Sequence, residues 1–220
     1  MYIPRHYRQD DPEIIDSFIR ENSFATLVSS NENGMEAVHL PVELTIDPDG
    51  SRRLHGHVAR ANKIWLSFHA NRDLLVIFNG PHAYISPLWF TSVNVPTWNY
   101  MAVHAYGKPR LVEDSQQMYV TLKRMVERFE GDTEVAPYRI EDLPNKLLNS
   151  QMARIVGFQI KVERIDASFK LSQGDERQDQ RTMIEELLKK GDDNSVAVAK
   201  AMSLSAKKSE LLMSPRRKSL

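Results

Sequence analysis

Hydrophobic and polar positions along this chain follow first a helical period and then an alternating one. Ile14, Ile15, Phe18 and Ile19 fall on one stripe at helical spacing. Ahead of them, Asp10-Asp11-Pro12-Glu13 supplies a capping acid, a proline at the first helical position and a further acid suited to the helix dipole. A helix is predicted from there to about Asn22. Phe24 to Ser30 then reads as a strand that runs into the turn Asn31-Glu32-Asn33-Gly34. A return strand is expected over Glu36 to Leu44, and an Asp47-Pro48-Asp49-Gly50 turn leads into Leu54 to Val58. Two hairpins in succession point to a meander or small barrel rather than βαβ units.

Further along, Ala61 to Ala70 predicts one short helix with Ile64, Trp65 and Phe68 inward. Leu74 to Asn79 is an apolar strand closed by Gly80-Pro81, and Ala83 to Ile85 and Trp98 to Gly107 are two more strands rich in aromatics. Asp114 with Gln117 opens a helix whose stripe is Met118, Leu122, Met125, Val126 and Phe129. A short helix is expected within Leu143 to Met152. Ile155 to Ile165 alternates as a strand, with Val156, Phe158, Ile160 and Val162 on one face. After Leu171 the composition turns polar. Met183, Ile184, Leu187 and Leu188 mark a helix stopped at Gly191, and Asp193-Asn194 is expected to cap another that reaches Leu204 and extends toward Met213. From Lys200 onward there are six basic residues and one acid, Glu210, so the end reads as a frayed basic helix or a flexible arm.

Charge and composition narrow the function. The 220 residues carry 29 Lys plus Arg against 29 Asp plus Glu, so no global field draws the chain to nucleic acid or membrane. No apolar run approaches a bilayer span, and Met1 to Arg5 lacks the stretch of a signal peptide, so a cytoplasmic protein is expected. Cysteine is absent, which removes disulfides, thiolate chemistry and Cys-ligated metal from consideration. His55 and His57 alternate by two on one strand face, but no third ligand stands at fixed spacing, so no metal is expected. With nine glycines, the chain has neither a P-loop nor a G-x-G-x-x-G fingerprint, and it has no G-x-S-x-G elbow.

Two stretches carry candidate chemistry. In His55 to Trp65 a strand end gives way to Arg60, Asn62 and Lys63, followed by an apolar helical turn. Two cations and an amide at that junction form a phosphate cradle or, equally, a solvated loop. In Val95 to Tyr100, Trp98 and Tyr100 stand beside Thr97 and Asn99, a mixture that suits a planar heteroaromatic ligand, an aromatic core corner or a dimer interface.

Taken in order, Met1-Tyr2-Ile3-Pro4, His39-Leu40-Pro41, His55-Gly56-His57-Val58-Ala59-Arg60-Ala61-Asn62, Gly80-Pro81-His82-Ala83-Tyr84-Ile85-Ser86-Pro87, Val95 to Tyr100, Val103 to Gly107 and Lys170-Leu171-Ser172-Gln173 resemble the PaiB family. Members of that family are described as FMN-binding-type negative transcriptional regulators of protease synthesis and sporulation. The resemblance runs from Met1 to about Lys190. It implies a mainly β fold with flanking helices (α+β), an FMN-binding split β-barrel of Greek-key type over residues 1–173; the helical spacing and charge beyond it mark a helical C-terminal appendage over 174–204 and a basic tail over 205–220. The resemblance further implies a homodimer with FMN in a groove between subunits.

Related oxidases hold the flavin phosphate with a Ser-Arg-Lys block. Ala61-Asn62-Lys63 stands at the similar place, so Lys63 keeps the charge, Asn62 replaces the arginine and Arg60 restores a cation. His39, His57 and Val58 are then expected along the flavin ring, with Trp98, Asn99 and His104 from later strands. Gly174-Asp175 departs from the Asn-Arg common in the family, with Arg177 as a substitute. The main reading is a regulator that contacts DNA, with the basic tail the local feature suited to phosphate backbones. The alternative is an FMN-dependent oxidoreductase of the flavin reductase or pyridoxamine-phosphate oxidase kind, with haem binding or degradation a distant third.

Overall fold

The computed structural model describes residues 1–32, 34–70, 72–131 and 138–213, with residue 70 and residues 207–213 as backbone only. Its elements in chain order are helix α1 (Pro12–Glu21) and strands β1 (Phe24–Asn31), β2 (Gly34–Pro41), β3 (Glu43–Ile46) and β4 (Arg52–Ala59). A 3₁₀ helix (Lys63–Ala70), strands β5 (Leu74–Ile85) and β6 (Thr97–Val112) and helices α2 (Ser115–Glu130) and α3 (Asn145–Met152) follow. Strand β7 (Ile155–Lys170) and helices α4 (Arg177–Lys190) and α5 (Asp193–Met213) complete the series. Helix α1 begins where its capping signal stands, because the Asp11 carboxylate accepts the Glu13 amide at 3.1 Å and the Ile14 amide at 3.4 Å.

The chain forms two compact units. One comprises Asp16–Phe78 and His104–Ile165; the other comprises Met1–Ile15, Asn79–Val103 and the chain from Asp166 onward. The strand order is β2-β1-β5-β6-β7-β4-β3. Within the first unit β1 pairs antiparallel with β2 and β5, β3 with β4, and β4 with β7. The two outermost strands of that order, β2 and β3, are consecutive in sequence. The expected single return strand over Glu36 to Leu44 is therefore two strands that part at Val42. Pro41 has no N–H to offer a ladder, while Val42 turns inward and donates its amide to the Ser23 carbonyl at 2.8 Å. The bend lets the sheet curl until its ends meet: a Cβ placed on Gly56 of β4 would lie 3.2 Å from Leu40 Cδ1 of β2 and 2.7 Å from Phe158 Cζ of β7. A glycine at position 56 is what allows this close approach. Leu27, Leu54, Val76, Phe78, Phe158 and Ile160 fill the enclosed core.

Other expectations are corrected. Gly80-Pro81 does not close a strand, and β5 runs unbroken through it to Ile85, because proline's fixed φ is compatible with extended backbone. Strand β6 continues past Gly107 to Val112, and β7 continues past Ile165 to Lys170. The short helix expected over Ala61 to Ala70 is a 3₁₀ helix over 63–70, with Ile64 and Phe68 buried as expected and Trp65 at the margin rather than inward. On α2 the buried stripe is Met118, Thr121 and Met125, while Phe129 is exposed.

In the second unit, α4 ends at Gly191, whose φ of +73° makes the left-handed turn into α5. The cap of α5 is Asp192 rather than Asp193-Asn194: its carboxylate accepts the Ser195 amide at 3.0 Å and hydroxyl at 2.6 Å. Met183 and Leu187 of α4 and Val198, Ala199 and Met202 of α5 are buried. Residues 214–220, the last seven of the basic tail, lie outside the described residues.

Candidate functional site

Strand β4 separates two environments by simple alternation. Leu54, Gly56 and Val58 face the core, so His55 and His57 project from the opposite face. His55 is 6% exposed, and its Nε2 shares a hydrogen bond with Thr45 Oγ1 at 2.9 Å. Burial, reinforced by the Arg124 and Arg53 cations, pushes its pKa down to about 4, so the imidazole is neutral at pH 7. His57 is half-buried, and burial lowers its pKa in the same direction. Directly opposite His57 on β7 stands Gly157, where a Cβ would sit 2.4 Å from Met118 Sδ, so α2 packs down on this face. The Nδ1 atoms of His55 and His57 are both buried without a hydrogen-bond partner. A buried orphan of this kind costs about 1–3 kcal/mol, and its place in the fold calls for a functional account.

At the end of β4 the chain turns through Arg60 to Lys63. The Arg60 guanidinium donates to the Ala153 carbonyl at 2.9 Å and the Ile155 carbonyl at 3.0 Å, while the Trp65 indole donates to the Arg60 carbonyl at 3.1 Å. Asn62 Oδ1 accepts the Ile64 amide at 3.1 Å, so this side chain caps the 3₁₀ helix. Lys63 is exposed and makes no hydrogen bond or ion pair among the described residues. It lines a cavity of about 340 Å³ with Ser30, Ser67, Arg72, Glu32 and Glu36. Arg60, Trp65, Met118, Asn149 and Gly157 line another, of about 610 Å³. Position 63 therefore retains a free ammonium, while Arg60 is a cation already anchored on carbonyls. The unpartnered His57 Nδ1 on the strand face is a group that could meet a polar planar ring, and the exposed Lys63 ammonium at the turn that ends the strand is one that could meet a phosphate.

The remaining sequence-derived candidates fall into different settings. His39 is exposed on β2, its Nδ1 sharing a hydrogen bond with Thr26 Oγ1 at 3.0 Å and its ring stacked 6.4 Å from Phe24. Val58 is a core side chain. His104 is half-buried, its ring 6.4 Å from that of Tyr106. Trp98 and Asn99 belong to the second unit. Trp98 is 53% exposed beside His82 and Tyr84, at centroid distances of 6.1 and 5.9 Å. Asn99 is fully buried, and its amide donates to Ser172 Oγ at 3.1 Å and Met202 Sδ at 3.4 Å while its Oδ1 accepts from Ser172 Oγ at 3.3 Å. Ser172 adopts φ +60°, a left-handed conformation that this bracket of hydrogen bonds holds in place. Among the described residues no three of His, Asp and Glu come together as a metal would require.

Sequence reasoning missed Thr45, Trp65 and the two carbonyls that hold Arg60. The β3–β4 pairing that sets Thr45 beside His55 leaves only an alternation signal in the sequence. The carbonyls lie more than ninety residues from Arg60 and leave no signal at all.

Comparison with known proteins adds the lineage. A family model described as "Putative FMN-binding domain" matches residues 1–164. The protease synthase and sporulation protein PAI 2 of Bacillus subtilis is 40% identical over 208 residues, covering 94% of this chain and 99% of the relative. Among solved structures, the flavocytochrome Anf3 of Azotobacter vinelandii superposes with a TM-score of 0.57 at 11% identity, covering 76% of this chain and 72% of the other. A conserved hypothetical protein of Mycobacterium tuberculosis superposes with a TM-score of 0.56 at 12% identity, covering 79% and 93%. These structural likenesses establish a shared α+β split-barrel fold, the one the sequence led us to expect. By sequence, over 94% of its length, the chain belongs to the PaiB family of FMN-binding-domain proteins.

Proposed function

We propose that this protein binds FMN beside the outward face of β4 and acts as a negative transcriptional regulator of the PaiB type. The observation that carries the reading is the 40% identity that extends over 94% of this chain and 99% of PAI 2. FMN, when bound, supplies a redox-active isoalloxazine ring and a dianionic phosphate. We assign the phosphate to Lys63, with Asn62 and the anchored Arg60 shaping the turn around it. His57 offers its unpartnered Nδ1 to the polar edge of the ring, and His39 and His104 border it, while Val58, expected at the ring, packs in the core behind it.

The protein acts as a homodimer in this reading, in which Phe24 and Met35, 71% and 77% exposed, are covered by a second copy. The exposed Trp98 indole is the ring that such a copy brings to the flavin, whereas Asn99 serves to hold Ser172. DNA contact falls to the basic arm with Lys207, Lys208, Arg216, Arg217 and Lys218. The setting is the cytoplasm; no helix among the described residues is long and apolar enough to cross a membrane.

Titration of the purified chain with FMN, followed by flavin fluorescence, tests the reading. Saturable binding that weakens about tenfold in Lys63→Ala, the loss of one charge-assisted contact, is the expected result. Absence of FMN binding overturns it. For the regulatory half, neutralising the five basic residues of the arm together should abolish binding to promoter-length duplex DNA; unchanged affinity removes the arm from the account.

A further inference from the structure

A second concavity, at the other end of β4 from Lys63, has a different chemistry. Arg53 of β4, Lys108 and Arg110 of β6 and Lys161 of β7 line a cavity of about 530 Å³, together with His69 and Gln159. One carboxylate, Glu163, stands in its wall. Arg53 is paired with Asp47, but Lys108, Arg110 and Lys161 make no ion pair among the described residues. Arg53 and Lys161 are directly opposite each other in the β4–β7 ladder, an arrangement of like charges that costs stability. The chain as a whole has zero net charge, so this cluster is local and not a reflection of composition.

The backbone holds the cations close together. Gly107 packs so tightly on β7 that a Cβ there would lie 2.1 Å from the Lys161 carbonyl oxygen. Lys108 follows directly, and Lys108 and Arg110 share one face of β6 two residues apart. The cations therefore ride on paired strands and not on a loop. Three exposed cations without ion pairs around a concavity repel one another, and an anion bound among them relieves that repulsion. A volume of about 530 Å³ is that of a small-molecule pocket, whereas a duplex backbone is met by an extended stripe of charge.

We propose that this cleft binds a small ligand bearing two or more phosphate groups, at a site separate from that of FMN. The test is calorimetric titration of the full chain with inorganic pyrophosphate and with orthophosphate at 0.15 M salt, in the presence and absence of saturating FMN. One-to-one binding of pyrophosphate is expected, at least about tenfold tighter than that of orthophosphate and unaffected by FMN. The exposed double variant Lys108→Gln/Arg110→Gln should weaken pyrophosphate at least about tenfold and leave FMN affinity unchanged. Lys63→Ala should do the reverse, so failure of one site is distinguishable from failure of the other. No saturable pyrophosphate binding overturns the proposal, as does competition between FMN and pyrophosphate, or binding that the double variant retains. Binding of a 24-base-pair duplex that the double variant loses, without pyrophosphate binding, assigns the cleft to nucleic acid and equally overturns it.

Discussion

Buried polar atoms in the two compact units answer the same physical demand in opposite ways. Asn99 in the second unit is fully buried, yet Ser172 and Met202 meet its amide and a strained Ser172 is held by it. His55 and the half-buried His57 on β4 carry buried Nδ1 atoms that meet nothing. Burying a polar atom is tolerable when the fold supplies its partner and costly when it does not. Asn99 is therefore explained by folding alone. The imidazole face of β4 is not, and that asymmetry separates a structural polar cluster from a ligand face.

The largest effect that sharpens this contrast belongs to Asn99→Leu. It removes the partner of Ser172 Oγ and should cost about 2–3 kcal/mol in urea unfolding, with FMN affinity unchanged in the protein that remains folded. A loss below about 0.5 kcal/mol would show that the cluster is not structural.

Acid is next. Both imidazoles are held neutral by burial, His55 with a pKa near 4 against 6.5 in the unfolded chain. The unfolded state thus binds more protons between those values, so stability is complete above about pH 6.5 and falls as pH drops toward 4. The slope from each such histidine is at most about 1.4 kcal/mol per pH unit. Unfolding measured across pH 7 to 4 should show this decline, and His55→Gln should flatten it.

Smaller again is His57→Leu. It deletes an orphaned nitrogen, so stability should hold or rise by about 1 kcal/mol while FMN binding weakens. Loss of stability with unchanged FMN binding would reverse the comparison. Lys63→Ala is expected to change stability least, within about 0.5 kcal/mol, because its side chain is exposed and unpaired.

Much of the scaffold was legible from local signals. Asp11-Pro12 marked the start of α1, Asp114 the start of α2, and alternation marked β4 and β7. Where the reading failed, tertiary pairing overrode a local preference. Gly80-Pro81 looks like a turn but continues as strand β5, and the segment through Pro41 looks like one strand but divides because its halves pair with different neighbours. The 3₁₀ form of residues 63–70 left no mark in the apolar spacing.

The site was less legible for the same reason. The blocks that carry the family resemblance located Asn62 and Lys63 and named Asn99, but spacing does not report that Asn99 is sealed in a core with Ser172. The cationic cleft draws on β4, β6 and β7, more than a hundred residues apart from Arg53 to Lys161, and no window along the chain contains it.

The most direct test of the central claim is the nitrogen NMR spectrum of the histidine side chains recorded as FMN is added. The Nδ1 resonance of His57 should move in proportion to bound flavin, while the side-chain amide of Asn99 stays fixed. A His57 signal that does not respond to saturating FMN, or an Asn99 amide that moves in its place, would contradict the assignment of the β4 face as the ligand site.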